Sequence, residues 1–173
     1  MTAMSTLPVA SIHDVPQTSA IHSGQRFACT MHDLGRRLGA HHLGANVTVI
    51  APGKAAFPFH HHRVNEELCL VIAGEGDVRF GDQTHRVREG DLFIFPPGGP
   101  EVAHQVSNPS ADTPLRLLCL STLFSPEVVG YPDSGKFGVR LDVRAPDGER
   151  TTVFRHLGRP AQMLDYWDGE PTE

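Results

Sequence analysis

The sequence predicts an all-β fold, a barrel or sandwich of short antiparallel strands, and three observations carry that reading. From Arg26 onward, apolar and β-branched runs recur along the chain, each too short for a full-length helix. They are punctuated by turn residues, with Gly 17 and Pro 14 among 173 residues. No window longer than a turn or two repeats its apolar residues with the helical period.

Residues 1–24 carry Ser, Thr, Pro and His with little periodicity, and are expected to be an arm that orders only by docking. Strands are then expected over residues 27–31, 40–50, 67–72, 77–80, 83–88, 92–95, 104–106 and 115–120. Gly81-Asp82 reads as a hairpin turn, and Gly74-Glu75-Gly76 and Glu89-Gly90-Asp91 as further sharp turns. These elements make one barrel of residues 25–124. Residues 125–173 form an extension that alternates turn clusters such as Tyr131-Pro132-Asp133-Ser134-Gly135 with strand-like stretches at 137–143 and 151–156. It also holds Tyr131, Tyr166 and Trp167, large side chains seldom left without a packing surface. The extension is therefore expected to pack on the barrel or to cross to a partner subunit.

Composition narrows the function classes. A formal net charge of −5 argues against nucleic acid as a main partner, because phosphate binding needs a basic surface. No apolar run approaches the roughly 20 residues that span a bilayer, so no membrane partner is expected. The N-terminus has neither a basic nor an apolar leader region, so no signal peptide is expected. Cys29, Cys69 and Cys119 are odd in number, widely spaced and without a paired-Cys motif, which fits reduced thiols and a cytoplasmic location.

Chemistry concentrates in Phe59-His60-His61-His62-Arg63-Val64-Asn65-Glu66-Glu67, just before the run Leu68-Cys69-Leu70-Val71-Ile72. Alternate side chains of a strand share a face, so His60 and His62 point one way and His61 the other. Two imidazoles joined by a carboxylate suit a divalent transition metal. His104, between the turn Phe95-Pro96-Pro97-Gly98-Gly99-Pro100 and Asn108, is a fourth candidate that a second strand can bring opposite the first group. A run of histidines alone is often a solvated surface feature. His13, His22, His32, His41, His42, His85 and His156 show no ligand spacing with a carboxylate and are expected at the surface or as satisfied core residues. Cys69 and Val71 share the parity of Glu67 and are expected to line the interior. Phe57, Phe59, Phe93 and Phe95 are expected in the barrel wall.

These residues resemble the cupin superfamily. Its first motif is Gly, His-x-His, three or four residues, Glu, six residues and Gly; here Gly53, His60, His62, Glu67 and Gly74 match it. Its second is Gly, five residues, Pro-x-Gly, a short gap, His, three residues and Asn, matched by Gly90, Pro96, Gly98, His104 and Asn108. Six residues separate Gly53 from His60 where five is usual, and five separate Gly98 from His104 where two is usual, both in loops where insertions are tolerated. The resemblance covers roughly residues 40–121. It implies a double-stranded β-helix, a small jelly-roll barrel, with His60, His62, Glu67 and His104 as metal ligands. Glu66 competes with Glu67, but it lacks the six-residue spacing to Gly74 and would face the other side of the strand.

The resemblance also implies one divalent transition ion per chain (iron, manganese, nickel or zinc), bound by three neutral imidazoles and a carboxylate with positions left for a chelating ligand. Such a site polarises a carbonyl, stabilises an enolate or activates water. Dioxygenases, isomerases, lyases, non-catalytic binders and sensors all use this fold, so the fold does not select a reaction. A small metalloenzyme acting on a polar, metal-chelating small molecule is favoured, and a homodimer is expected. The alternative is a metal-dependent binding or sensing module without turnover. Regulatory members usually carry a DNA-binding helical segment, for which residues 1–24 are too short. A metal-free sugar isomerase or epimerase is disfavoured because the ligands are intact.

Overall fold

The computed structural model describes residues 7–145, 150–162 and 164–171. Their strands are β1 (Ser19–Ser23), β2 (Phe27–Asp33), β3 (Leu43–Ile50), β4 (His61–His62), β5 (Glu67–Ala73), β6 (Glu75–Phe80) and β7 (Gln83–Arg88). There follow β8 (Leu92–Phe95), β9 (His104–Ser107), β10 (Leu115–Thr122), β11 (Glu127–Tyr131), β12 (Lys136–Arg144) and β13 (Arg150–Gly158). Helical structure among the described residues is limited to 3-10 turns at Pro100–Val102, Pro132–Ser134 and Pro160–Gln162. The all-β expectation holds.

Three antiparallel sheets form, in the orders β1-β2-β3-β10-β5-β8, β7-β6-β9 and β13-β12-β11-β4. Cys29, Ile50, Cys69, Val71, Val78, Val87, Phe95, Val106, Leu115 and Leu117 meet in one core, drawn from both the first and the second sheet. Burying a side chain such as Ile50 or Leu115, each with no exposed surface, stabilises by about 1.5–3 kcal/mol. The interior parity expected of Cys69 and Val71 is what places them there.

The turns expected at Gly74, Gly81 and Gly90 all occur with positive φ. Gly74 is the tightest of them. At φ +82° a Cβ would stand 2.8 Å from the Pro114 carbonyl oxygen, so only glycine lets β5 pass into β6 beside β10. The five residues between Gly98 and His104 fold into the 3-10 turn Pro100–Val102, which absorbs the extra length without displacing His104. Asn108 is structural: its Nδ2 donates to the Ile50 and Thr113 carbonyls while Oδ1 accepts from Ser110 N–H.

Two strands went unforeseen, and they bound the barrel at its ends. The segment expected to be an arm starts the first sheet as β1, pairing Ser19 with Met31 and Ser23 with Phe27. Before it, Val15 packs into a second apolar cluster with Leu34 and Val47, beside Ala10, Ile12 and Leu118. Residues 1–6 lie outside the described residues. At the other end, β11 pairs with β4 and carries β12 and β13 with it, so these three strands extend the barrel by a sheet. The terminal aromatics behave otherwise: Tyr166 and Trp167 are 84% and 63% exposed, edge to face with each other. No helix among the described residues is long and apolar enough to cross a membrane.

Candidate metal centre

His60 and His62 leave the Pro58-Phe59 loop on one side of the chain, as strand parity requires. The loop is pinned on both sides. His60 and His104 exchange backbone hydrogen bonds, with N···O distances of 3.1 and 2.7 Å, and His62 O accepts from Gly98 N–H at 2.8 Å. Glu67 opens β5 opposite Phe95, and His104 opens β9 opposite Phe80. One ligand atom from each of His60, His62, Glu67 and His104 lies within 4.8 Å of the others, so the group can hold a metal ion.

The hydrogen bonds around the group fit a cation at its centre. His60 Nδ1 lies 2.8 Å from the Pro58 carbonyl and His104 Nδ1 3.2 Å from the Val102 carbonyl, contacts that take the Nδ1–H and leave Nε2 with a lone pair. Yet His104 Nε2 also faces an acceptor, Glu67 Oε2, at 3.0 Å. A neutral imidazole has one N–H, so in that state hydrogen satisfies only one of these two acceptors, and a metal ion between Nε2 and the carboxylate would satisfy the other. His62 carries both ring nitrogens buried without a hydrogen-bond partner, an arrangement protein interiors avoid. Its Nε2 is 3.7 Å from Glu67 Oε1. The donor set fits a transition ion.

Protonation favours ligation at His60 and Glu67, whereas at His62 burial works downward but the Glu127 and Glu67 carboxylates hold the imidazole above its ordinary value. Burial, with the neighbouring His104 and His62, lowers His60 to about 4, so it is neutral at physiological pH. Burial would raise Glu67, but the His104 contact and the surrounding imidazoles bring it down to about 2. Phe95 stacks face to face on His104, with ring centroids 3.7 Å apart, and fixes that imidazole against the wall. The ligands border a cavity of about 250 Å³ whose remaining lining is mainly apolar, including Phe57, Val106, Leu117 and Cys69. Cys69 Sγ is 3.3 Å from Cys119 Sγ on the adjacent strand. That contact and burial push the Cys69 thiol well above its ordinary range, in keeping with a small apolar filler.

Neighbouring histidines and carboxylates sort as their parity required. Glu66 is exposed and contributes backbone groups, its N–H donating to Thr122 Oγ1 and its carbonyl accepting from Thr122 N–H. His61 points away from the ligand group. Its Nδ1 contacts the Gly98 carbonyl at 2.9 Å, and its ring lies over Gly130 of β11. A Cβ at Gly130 would fall on that ring. Gly130→Ala should therefore cost about 1–3 kcal/mol by overpacking, read in urea unfolding of the full chain; an unchanged midpoint would show that His61 is not wedged there.

Sequence reasoning missed Glu127, which is 2% exposed at the start of β11. Its carboxylate accepts from the backbone N–H groups of Val64 and Asn65 and from the Asn65 side chain, and stands 3.6 Å from His62 Nδ1. Burial works to raise it, but His62 and Asn65 pull it below its ordinary value. Asn65 braces the same corner by accepting from Phe124 N–H and Thr122 Oγ1. A carboxylate behind a ligand imidazole fixes its ring and raises its basicity. The Val128-Val129 pair between Pro126 and Pro132 was the available signal for β11; nothing in the sequence marked Glu127 itself.

Comparison with known proteins agrees with the fold. Residues 46–121 match the family model described as the cupin domain. An uncharacterized protein of Methanocaldococcus jannaschii, MJ1618, is 28% identical over 72 residues, which are 42% of this chain and 54% of that protein. The chain thus spans about half the length of the curated relative it matches. Among solved structures, a putative sugar phosphate isomerase from Acidithiobacillus ferrooxidans is similar at 26% identity and a TM-score of 0.65, covering 80% of each chain. A sugar phosphate isomerase of the cupin superfamily from Silicibacter pomeroyi gives a TM-score of 0.72 at 20% identity, over 93% of this chain and 98% of that one. A predicted oxalate decarboxylase from Thermotoga maritima gives 0.55 at 18% identity, over 67% and 99%. The latter two bear on the fold alone, and the fold is the double-stranded β-helix.

Proposed function

For this cupin-domain protein, we propose that His60, His62, Glu67 and His104 hold one divalent transition ion and that the site is that of a small metalloenzyme acting on a polar, metal-chelating small molecule. The observation that carries this reading is the unpartnered, buried His62 ring facing Glu67 among two further imidazoles. Isomerisation of a hydroxy-carbonyl compound of the sugar kind is favoured over dioxygenase or lyase chemistry, in line with the similarity to the putative sugar phosphate isomerase of A. ferrooxidans.

The ion, when bound, would polarise a carbonyl and stabilise an enolate-like charge. The chain's residues do the rest. The Pro58 and Val102 carbonyls hold the His60 and His104 rings with Nε2 turned inward. Phe57, Phe95 and Leu117 give the cavity beside the ligand group an apolar wall on the core side. Tyr131 lies with its ring stacked near His60, centroids 6.2 Å apart, and burial raises its phenol, so the hydroxyl stays protonated at neutral pH and can donate a hydrogen bond.

A homodimer in a reducing, cytoplasmic compartment completes the proposal. Leu141, Val143 and Phe154 are 37%, 46% and 52% exposed on the β12–β13 hairpin and offer an apolar face for a second copy. The three cysteines are free. Incubating protein loaded with zinc, manganese, iron or nickel with aldose and ketose pairs should give interconversion that Glu67→Ala abolishes. Tight binding with no product for any metal would instead support the non-catalytic binding module.

A further inference from the structure

The four-stranded sheet presents an unusual row toward the metal centre. Antiparallel register places Glu127 opposite Arg140 and Arg140 opposite Arg155, so all three share one face of β11, β12 and β13. His62 is opposite Val129, and Val129 and Tyr131 share the parity of Glu127, so the metal-facing imidazole and the phenol belong to that same face. Arg140, Arg155, Tyr131, His156 and His62 line a cleft of about 320 Å³. Arg140, His62 and Glu67 also line the adjoining cavity of about 340 Å³, which carries the cleft to the ligand group.

Two like charges placed directly opposite across a strand pair destabilise it unless something neutralises them. The carboxylates on this face are already engaged. Asp142 lies 3.0 Å from Arg140 Nε, out of line for a hydrogen bond, and takes Arg150 through Nε at 2.8 Å and Nη2 at 2.6 Å. Glu127 is held by the N–H donors of Val64 and Asn65 and stands 3.6 Å from His62 Nδ1. Arg155 makes no ion pair among the described residues, and both it and Arg140 act on the Tyr131 phenol, which places two guanidinium groups and a hydroxyl around one cleft. Solvated surface arginines need no such convergence.

We propose that this cleft is a subsite for the phosphate of a phosphomonoester substrate, held by Arg140, Arg155 and the Tyr131 hydroxyl while its hydroxy-carbonyl end reaches the metal ligands. The assignment rests on the proposed function for the location of the reacting end. Phosphate suits the cleft because two guanidinium forks and a hydroxyl can serve three oxygens of one tetrahedral group. None of these residues lies in the segment that matches the cupin family model, residues 46–121.

The test is titration calorimetry of the full-length, cobalt-loaded protein with inorganic phosphate and with ribose 5-phosphate beside ribose. Inorganic phosphate should bind, and the ester should bind at least about tenfold more tightly than the free sugar. Arg155→Ala, at an exposed residue, should remove that preference without changing cobalt content or ribose affinity, and Arg155→Lys should restore part of it. The cobalt spectrum with an added α-hydroxy acid reads the metal centre separately. Arg155-dependent phosphate binding supports the subsite even if the acid leaves that spectrum unchanged, in which case the metal reading fails alone. Equal affinity for ester and sugar overturns the subsite, as does a preference for monocarboxylates over phosphate, whether or not the metal responds.

Discussion

Truncation after Phe124 should unfold the protein or leave it unable to retain metal. The cut removes Glu127, which satisfies the backbone N–H groups of Val64 and Asn65 and the Asn65 side chain, all in the loop that leads from His62 to Glu67. Each buried donor left without a partner costs about 1–3 kcal/mol. The cut also takes away β11, the strand that pairs with His61 and His62. The sum is on the order of 5 kcal/mol, comparable with the whole stability of a typical domain. Thermal unfolding and size-exclusion chromatography of the truncated and full chains read the effect. An unaltered melting temperature and elution volume would make residues 125–173 a dispensable appendage.

His62→Ala and His104→Ala should each weaken metal binding by more than about a hundredfold, since disturbing even the groups behind a ligand commonly costs 10–100-fold. His61→Ala and Glu66→Gln should leave affinity within about threefold, because neither side chain joins the ligand group. Glu127→Gln tests the intermediate position. It keeps the shape of the corner and weakens the hold on His62 Nδ1, so metal affinity should fall by about tenfold with the fold intact. Competition against a chromophoric chelator measures all five variants. Equal losses in His61→Ala and His62→Ala would mean that strand parity misassigned the ligands.

Much of this was legible in the sequence for identifiable reasons. The strands of the barrel announce themselves by β-branched runs between glycines, and Gly74, Gly81 and Gly90 sit where positive φ is required. The candidate ligand group was legible because a strand has a period of two: it separates His61 from His60 and His62, and Glu66 from Glu67. What stayed hidden depends on contacts remote along the chain. β1, with its Ser-Ala-Ile-His-Ser sequence, has little intrinsic strand character and forms because β2 offers it an edge. Glu127 looks like any acidic surface residue until the fold puts it behind His62. The Arg140–Arg155 pairing needs the register of β12 on β13, including the irregularity between Leu141 and Asp142. Tyr166 and Trp167 are the converse case. Their size led to an expectation of packing on the barrel or on a partner subunit, and on this chain alone both stand exposed beyond β13.

Everything proposed for the site depends on the ion, so metal content is the decisive quantity. Protein produced without an affinity tag and without added metal should be analysed by plasma mass spectrometry beside a variant lacking the His60, His62 and His104 side chains. About one transition ion per wild-type chain, with nitrogen and oxygen donors at roughly 2.0–2.2 Å by X-ray absorption if the ion is zinc, is the predicted result, and the triple variant should be empty. A wild-type chain that takes up no transition ion even when one is supplied, or a triple variant that retains its metal undiminished, would contradict the assignment of His60, His62, Glu67 and His104.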